Sequence, residues 1–156
     1  MKRRISIMAA GLLLCAAWGS VQAETAAKSI TVSDAYVRAV PPGQPNSAAF
    51  MALSNRSAAD HALVEVRSDV AEAVELHTHS MMQMRRVAQI DVPAGGETRL
   101  QPGGLHVMLI GLQRELQPGE AVSLQFEFED GSLLELSAPV RKLQMKMMKH
   151  GGKMMH

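Results

Sequence analysis

The segment from residue 121 to residue 130 alternates between apolar and polar side chains. The apolar positions are Val122, Leu124, Phe126 and Phe128. A period of two is typical of a half-buried antiparallel strand, because successive side chains point to opposite faces of a sheet. Asp130-Gly131 supplies the residue pair that a tight hairpin favours, and apolar residues alternate again over residues 134–138. The end of the chain therefore predicts a β-hairpin.

Short apolar runs separated by turn residues continue this pattern upstream. Pro- and Gly-rich stretches mark the loops, and no long helical pattern interrupts them. Further strands are predicted at 30–40, 48–54, 61–67, 73–79, 84–90, 97–101 and 105–111. Eight or nine short strands at this spacing predict an all-β fold, a β-sandwich with Greek-key connections.

The first 23 residues have the composition of a cleavable signal peptide. Lys2-Arg3-Arg4 is a basic start, residues 5–18 are apolar, and Val21-Gln22-Ala23 resembles a cleavage site. The apolar run is short for a bilayer span, so we expect export to the periplasm and no stable membrane insertion. Leu14 precedes Cys15 where lipidation would require a small residue, which favours cleavage after Ala23.

Between the signal peptide and the C-terminal segment, one domain is predicted to cover residues 28–140. Beyond it, residues 141–156 are rich in Met, His and Lys and contain Gly151-Gly152. Such a biased segment cannot bury a core, so we expect a flexible tail. Cleavage would remove the only cysteine and three of the 16 Lys and Arg residues, against 15 Asp and Glu. The slightly negative balance gives no indication of nucleic-acid binding, and thiolate sites are excluded from the mature chain.

Imidazoles and thioethers recur on the predicted strands. His77 and His79 share one strand face, opposite Leu76, and His106 and Met108 share one face of a later strand. Met84 lies between them in sequence. Thioether sulfur selects Cu(I), and imidazole adds affinity without charge, so copper is the working hypothesis.

Other interpretations of these residue types remain open at this point. Methionine commonly fills cores, as we expect for Met51, and Met108 fits either a core or a ligand position. A single histidine on a strand is usually solvated, as we expect for His61.

Several motifs resemble the PCu(A)C-type periplasmic copper chaperones, in order and spacing, from about residue 33 to residue 140. They are Val74-Glu75-Leu76-His77-Thr78-His79, Met82-Gln83-Met84-Arg85, Pro93-Ala94-Gly95-Gly96 and Pro102-Gly103-Gly104-Leu105-His106-Val107-Met108-Leu109. The resemblance implies a cupredoxin-like β-sandwich that binds Cu(I) through His77, Met84, His106 and Met108. It also implies delivery toward the subunit of cytochrome c oxidase with the binuclear copper site, or work beside a Sco-type thioredoxin-like partner.

One interval departs from the family pattern. The family usually places ten residues between the first His and the Met, whereas six separate His77 from Met84. The shorter loop leaves His79, Met81 or Met82 as alternatives to His77. In the tail, His150 and His156 are candidate ligands for Cu(II), which prefers nitrogen.

Other classes of protein fit less well. A cupredoxin electron carrier needs a Cys ligand, and a histidine-brace enzyme needs an N-terminal His, where cleavage would leave Glu24. No arrangement typical of catalysis is present in the sequence, so no enzyme activity is expected. A copper storage or resistance protein and a metal-free β-sandwich interaction module remain the alternatives.

Overall fold

The computed structural model describes residues 23–143. One short helix, α1 (Ala26–Ser29), precedes ten strands. The strands are β1 (Ile30–Arg38), β2 (Asn46–Asn55), β3 (His61–Arg67), β4 (Ala71–Ser80), β5 (Gln83–Arg86), β6 (Ile90–Val92), β7 (Glu97–Leu100), β8 (His106–Leu112), β9 (Ala121–Phe128) and β10 (Leu133–Arg141). The predicted signal peptide, apart from its last residue, and the tail from residue 144 onward lie outside the described residues.

The strands form two groups that are joined by a short parallel pairing of β1 with β10. The hydrogen-bonded order is β5-β4-β8-β2-β1-β10-β9-β3-β6, and β7 also pairs with β2. All other pairings are antiparallel. Both groups contribute to one hydrophobic core, so the prediction of an all-β sandwich is confirmed. Within residues 23–143, no helix is long and apolar enough to cross a bilayer.

The alternation along β9 places its apolar residues in that core. Val122, Leu124, Phe126 and Phe128 are at most 1% exposed. The predicted hairpin follows, with Gly131 at a positive φ of 76° and β10 returning alongside β9. Met51 is 3% exposed within the same core, as predicted.

The prediction of a single strand over residues 84–90 is wrong. The chain forms β5 at one end of the strand order and then crosses to pair β6 with β3 at the other end. All four residues of β5 are exposed, whereas Ile90 and Val92 on β6 are buried. Met84 on β5 is therefore exposed while Ile90 on β6 is buried, and one continuous strand cannot hold both.

Candidate functional site

The face of the β4–β8 pair that is opposite the core carries two histidines side by side. His77 on β4 is paired directly with His106 on β8, and their ring centroids are 5.8 Å apart. The alternate residues of the same strands, Leu76 and Val107, are paired with each other and buried in the core. Burial of these apolar residues fixes the face on which both imidazoles lie.

His106 is 5% exposed, so its ring is buried although it lies on the face opposite the core. Its Nδ1–H donates to the carbonyl of Gly104 at 3.0 Å, which leaves the lone pair on Nε2 available. Burial lowers the pKa of His106, with the nearby His77 acting in the same direction and the Gly104 hydrogen bond opposing. The ring is therefore held in the neutral form that a metal requires.

His77 is oriented by the carboxylate of Glu75, two residues away on the same strand face. Nε2 lies 2.8 Å from Glu75 Oε2, and the hydrogen bond with His77 lowers the pKa of Glu75, with Arg86 (3.4 Å) assisting. An ionised carboxylate only accepts, so Nε2 carries the proton and Nδ1 carries the lone pair. Nδ1 is buried and has no hydrogen-bond partner among residues 23–143. Each histidine thus offers one nitrogen lone pair.

Two methionines lie on the same face, at opposite corners of the histidine pair. Met108 is half-buried and is paired with Glu75 on one side and Ala48 on the other. Met84 on β5 is paired with His79 and is 51% exposed. Diagonal neighbours on a sheet face lie about 7–8 Å apart, within reach of long side chains. Both thioethers therefore flank His77.

The shortened loop between His77 and Met84 is a tight hairpin. Ser80 is paired with Gln83, so only Met81 and Met82 connect the strands. Because this register pairs Met84 with His79, Met84 stays on the face of His77, while His77 itself lies opposite Arg86. His77 is next to His106, and His79 is next to Met84 and exposed.

Among the described residues, no cluster of three or more His, Cys, Asp or Glu side chains is arranged to hold a metal ion. The candidate site consists instead of two imidazoles and two thioethers. Neutral nitrogen and sulfur donors of this kind suit a soft monovalent cation better than Zn²⁺, Mg²⁺ or Ca²⁺.

Sequence reasoning did not assign roles to two neighbours of the histidine pair. Glu75 holds His77, and its position two residues upstream on the same face was the available signal. Phe50 on β2 is buried against His106, with ring centroids 6.3 Å apart, and Tyr36 stacks on Phe50 in turn at 5.3 Å. Phe50 shields one side of His106 from water.

The prediction that His61 is solvated is wrong. Its side chain is 8% exposed, and its Nδ1 lies 2.5 Å from Glu129 Oε1. The backbone N–H of Ala62 donates to the other oxygen of the same carboxylate. His61 is therefore part of the packing between β3 and the end of β9, away from the candidate site.

Comparison with known proteins agrees with this architecture. Residues 30–140 match the family model described as "Putative lipoprotein LpqE-like". "Putative lipoprotein Lxx21020" of Leifsonia xyli subsp. xyli is 32% identical over 139 residues, which cover 84% of this chain and 82% of the relative. The chain belongs to the LpqE-like family.

Solved structures extend the comparison. The Cu(I) form of DR1885 from Deinococcus radiodurans has a TM-score of 0.63 at 36% identity, covering 73% of this chain and 78% of that one. The apo form of DR1885 has a TM-score of 0.61 at 34% identity, covering 91% and 97%. The copper-bound PCuAC domain from PmoF2 shares the fold, with a TM-score of 0.66 at 23% identity over 78% and 99%. The predicted relationship to PCu(A)C-type domains, with their cupredoxin-like sandwich, is confirmed.

Proposed function

We propose that this protein is a copper chaperone that binds one Cu(I) ion on the outer face of the β4–β8 pair. The ligands would be His77, His106, Met84 and Met108. One observation carries the proposal: two adjacent imidazoles each present an unengaged nitrogen lone pair, and that of His77 is buried without a partner among the described residues. A buried lone pair without a hydrogen bond is costly unless it binds something.

The donor set explains why the ion would be Cu(I) and why it would be exchangeable. Thioethers and imidazoles are neutral and prefer a soft, monovalent ion. Met84 is 51% exposed, so the ligands of an acceptor have access to the metal from that side. His106, Phe50 and Glu75 form the fixed part of the site, while Met84 forms its open part.

A chaperone of this kind would act outside the cytoplasm. DR1885, which is 36% identical to this chain, has a solved Cu(I) form. The matching family and the relative from Leifsonia xyli both carry the description "Putative lipoprotein". We propose export to the periplasm and delivery of copper toward the subunit of cytochrome c oxidase with the binuclear copper site, directly or with a Sco-type partner. Intact-mass measurement of the exported protein distinguishes a chain that begins at Glu24 from one lipidated at Cys15.

The tail beyond residue 143 is proposed to hold additional copper more weakly. Residues 145–156 contain five methionines and two histidines, and tethering would keep that copper at a high local concentration near the main site. His150 and His156 would take Cu(II), whereas the methionines would take Cu(I).

X-ray absorption at the copper edge tests the primary site. The protein ending at Lys142 retains every strand and isolates the sandwich from the tail. We expect nitrogen and sulfur scatterers together in the first shell of Cu(I). A shell of nitrogen and oxygen only would refute the ligand assignment.

A matched pair of variants tests which histidine is the ligand. His77→Ala removes the imidazole next to His106, whereas His79→Ala removes an exposed imidazole two residues away on the same face. We expect His77→Ala to weaken Cu(I) binding by much more than His79→Ala in an anaerobic competition titration. The reverse order would assign the site to His79 and Met84.

A further inference from the structure

The connection between β4 and β5 is a two-residue turn made of Met81 and Met82. Both residues have positive φ, 49° and 63°. Two-residue hairpins with positive φ at both central positions favour Asn-Gly or Asp-Gly, because a Cβ is strained in this conformation. Two consecutive long side chains therefore make this turn less stable than the same turn with Asn-Gly.

Packing does not account for the two methionines. Their side chains are 94% and 97% exposed, so they bury almost no surface in the described structure. Backbone strain is retained where a functional requirement opposes stability. The property that Met81 and Met82 share, and that Asn-Gly lacks, is a thioether in solvent.

The position of the turn connects these thioethers with the copper face. Its two strands carry His79 and Met84, which are paired with each other and are each two residues from the turn. His77 lies three residues before Ser80, so it is about 10 Å from the end of the strand pair. A series of soft donors thus extends from the exposed turn through Met84 to the histidine pair.

We infer that Met81 and Met82 are the exchange ligands through which Cu(I) enters and leaves this site. Met84 keeps its bond to the ion while a histidine bond breaks, a thioether of the turn then binds the ion beside Met84, and the partner's soft ligand displaces that thioether. Copper stays Cu(I) throughout, and no proton or electron is transferred. This inference rests on the proposed function and adds a kinetic role that the four inner ligands do not have.

Two double variants separate the sulfur from the shape of the turn. Met81→Leu with Met82→Leu keeps the bulk, the apolar surface and the backbone strain but removes both thioethers. Met81→Asn with Met82→Gly removes the thioethers and also relieves the strain. The measurements are the Cu(I) affinity at equilibrium, the stopped-flow rate of Cu(I) transfer to a chromophoric chelator, and the melting temperature of the apo-protein.

We expect both double variants to retain the affinity of the wild-type protein within about twofold and to transfer Cu(I) roughly tenfold more slowly, because the tethered thioethers act at an effective concentration far above that of the chelator. The Asn-Gly variant should also melt about 4 °C higher or more. An unchanged transfer rate in the Leu-Leu variant would overturn the inference, as would slowing in the Asn-Gly variant alone. A wild-type protein that binds no Cu(I) would instead refute the proposed function.

Discussion

Replacing Glu75 by Gln should weaken Cu(I) binding without removing a ligand. The carboxylate accepts the Nε2–H of His77 at 2.8 Å and thereby leaves the lone pair on Nδ1. A Gln amide donates as well as accepts, so both tautomers of His77 become accessible, and one of them has a proton on Nδ1. The same substitution removes a negative charge beside a bound cation.

The size of the effect follows from the exposure of the pair. Groups that hydrogen-bond a metal-ligating histidine typically contribute about 10- to 100-fold to metal affinity. The Glu75 side chain is 26% exposed, and water weakens its interaction with the ring, so we expect the lower end of this range. That is about a tenfold loss, or about 1.4 kcal/mol.

The assay is an anaerobic Cu(I) titration against a chromophoric chelator at neutral pH. Glu72→Gln is the matched control, because Glu72 is on the same strand but its side chain lies against Gly111 instead of a histidine. Equal affinities for the two variants would refute the argument that Glu75 selects the tautomer of His77.

Three further predictions concern pH, the tail and the core. Because burial lowers the pKa of His106, the unfolded chain takes up the proton first, so the stability of the apo-protein should fall as the pH drops below about 6.5. Its Cu(I) affinity should fall at lower pH, where protons compete for the folded ring. Thermal melts between about pH 7 and pH 5 that show no change would contradict the expected loss of stability. Deleting everything after Lys142 should lower copper stoichiometry while the melting temperature and the primary Cu(I) site are retained, and equal stoichiometry would exclude the tail as a copper site. Met51→Ala should destabilise the fold by about 3 kcal/mol through the cavity it leaves, measured by urea unfolding, whereas Met82→Ala at the exposed turn should cost almost nothing.

Local patterns predicted the parts of the fold that depend on neighbours in sequence. The alternation in β9 indicates which face is buried, and Asp130-Gly131 indicates where the hairpin reverses. Both signals come from residues adjacent in sequence. The same parity placed His77 and His106 on the face opposite the core. Their direct pairing across β4 and β8 is a matter of register between strands that are distant in sequence, which single-strand patterns do not contain.

The predictions that were wrong depended on such distant contacts. His61 is buried because Glu129, 68 residues later, accepts its hydrogen bond. The segment 84–90 passes from one group of strands to the other because Ile90 on β6 is buried and paired with Leu63 on β3. Neither partner is visible in the local sequence.

The register of the β4–β5 hairpin limits how the length of this loop can change during evolution. Adding or removing two residues slides Met84 by two pairs along β4 or changes the length of the hairpin, and its side chain stays on the copper face. Adding or removing one residue within β5 ahead of Met84, with the two-residue turn kept, moves Met84 to the opposite face of the hairpin and brings a neighbour such as Arg85 onto the copper face. Length variants that keep the two-residue turn should therefore come in steps of two, and the four-residue difference from the usual family interval is two such steps.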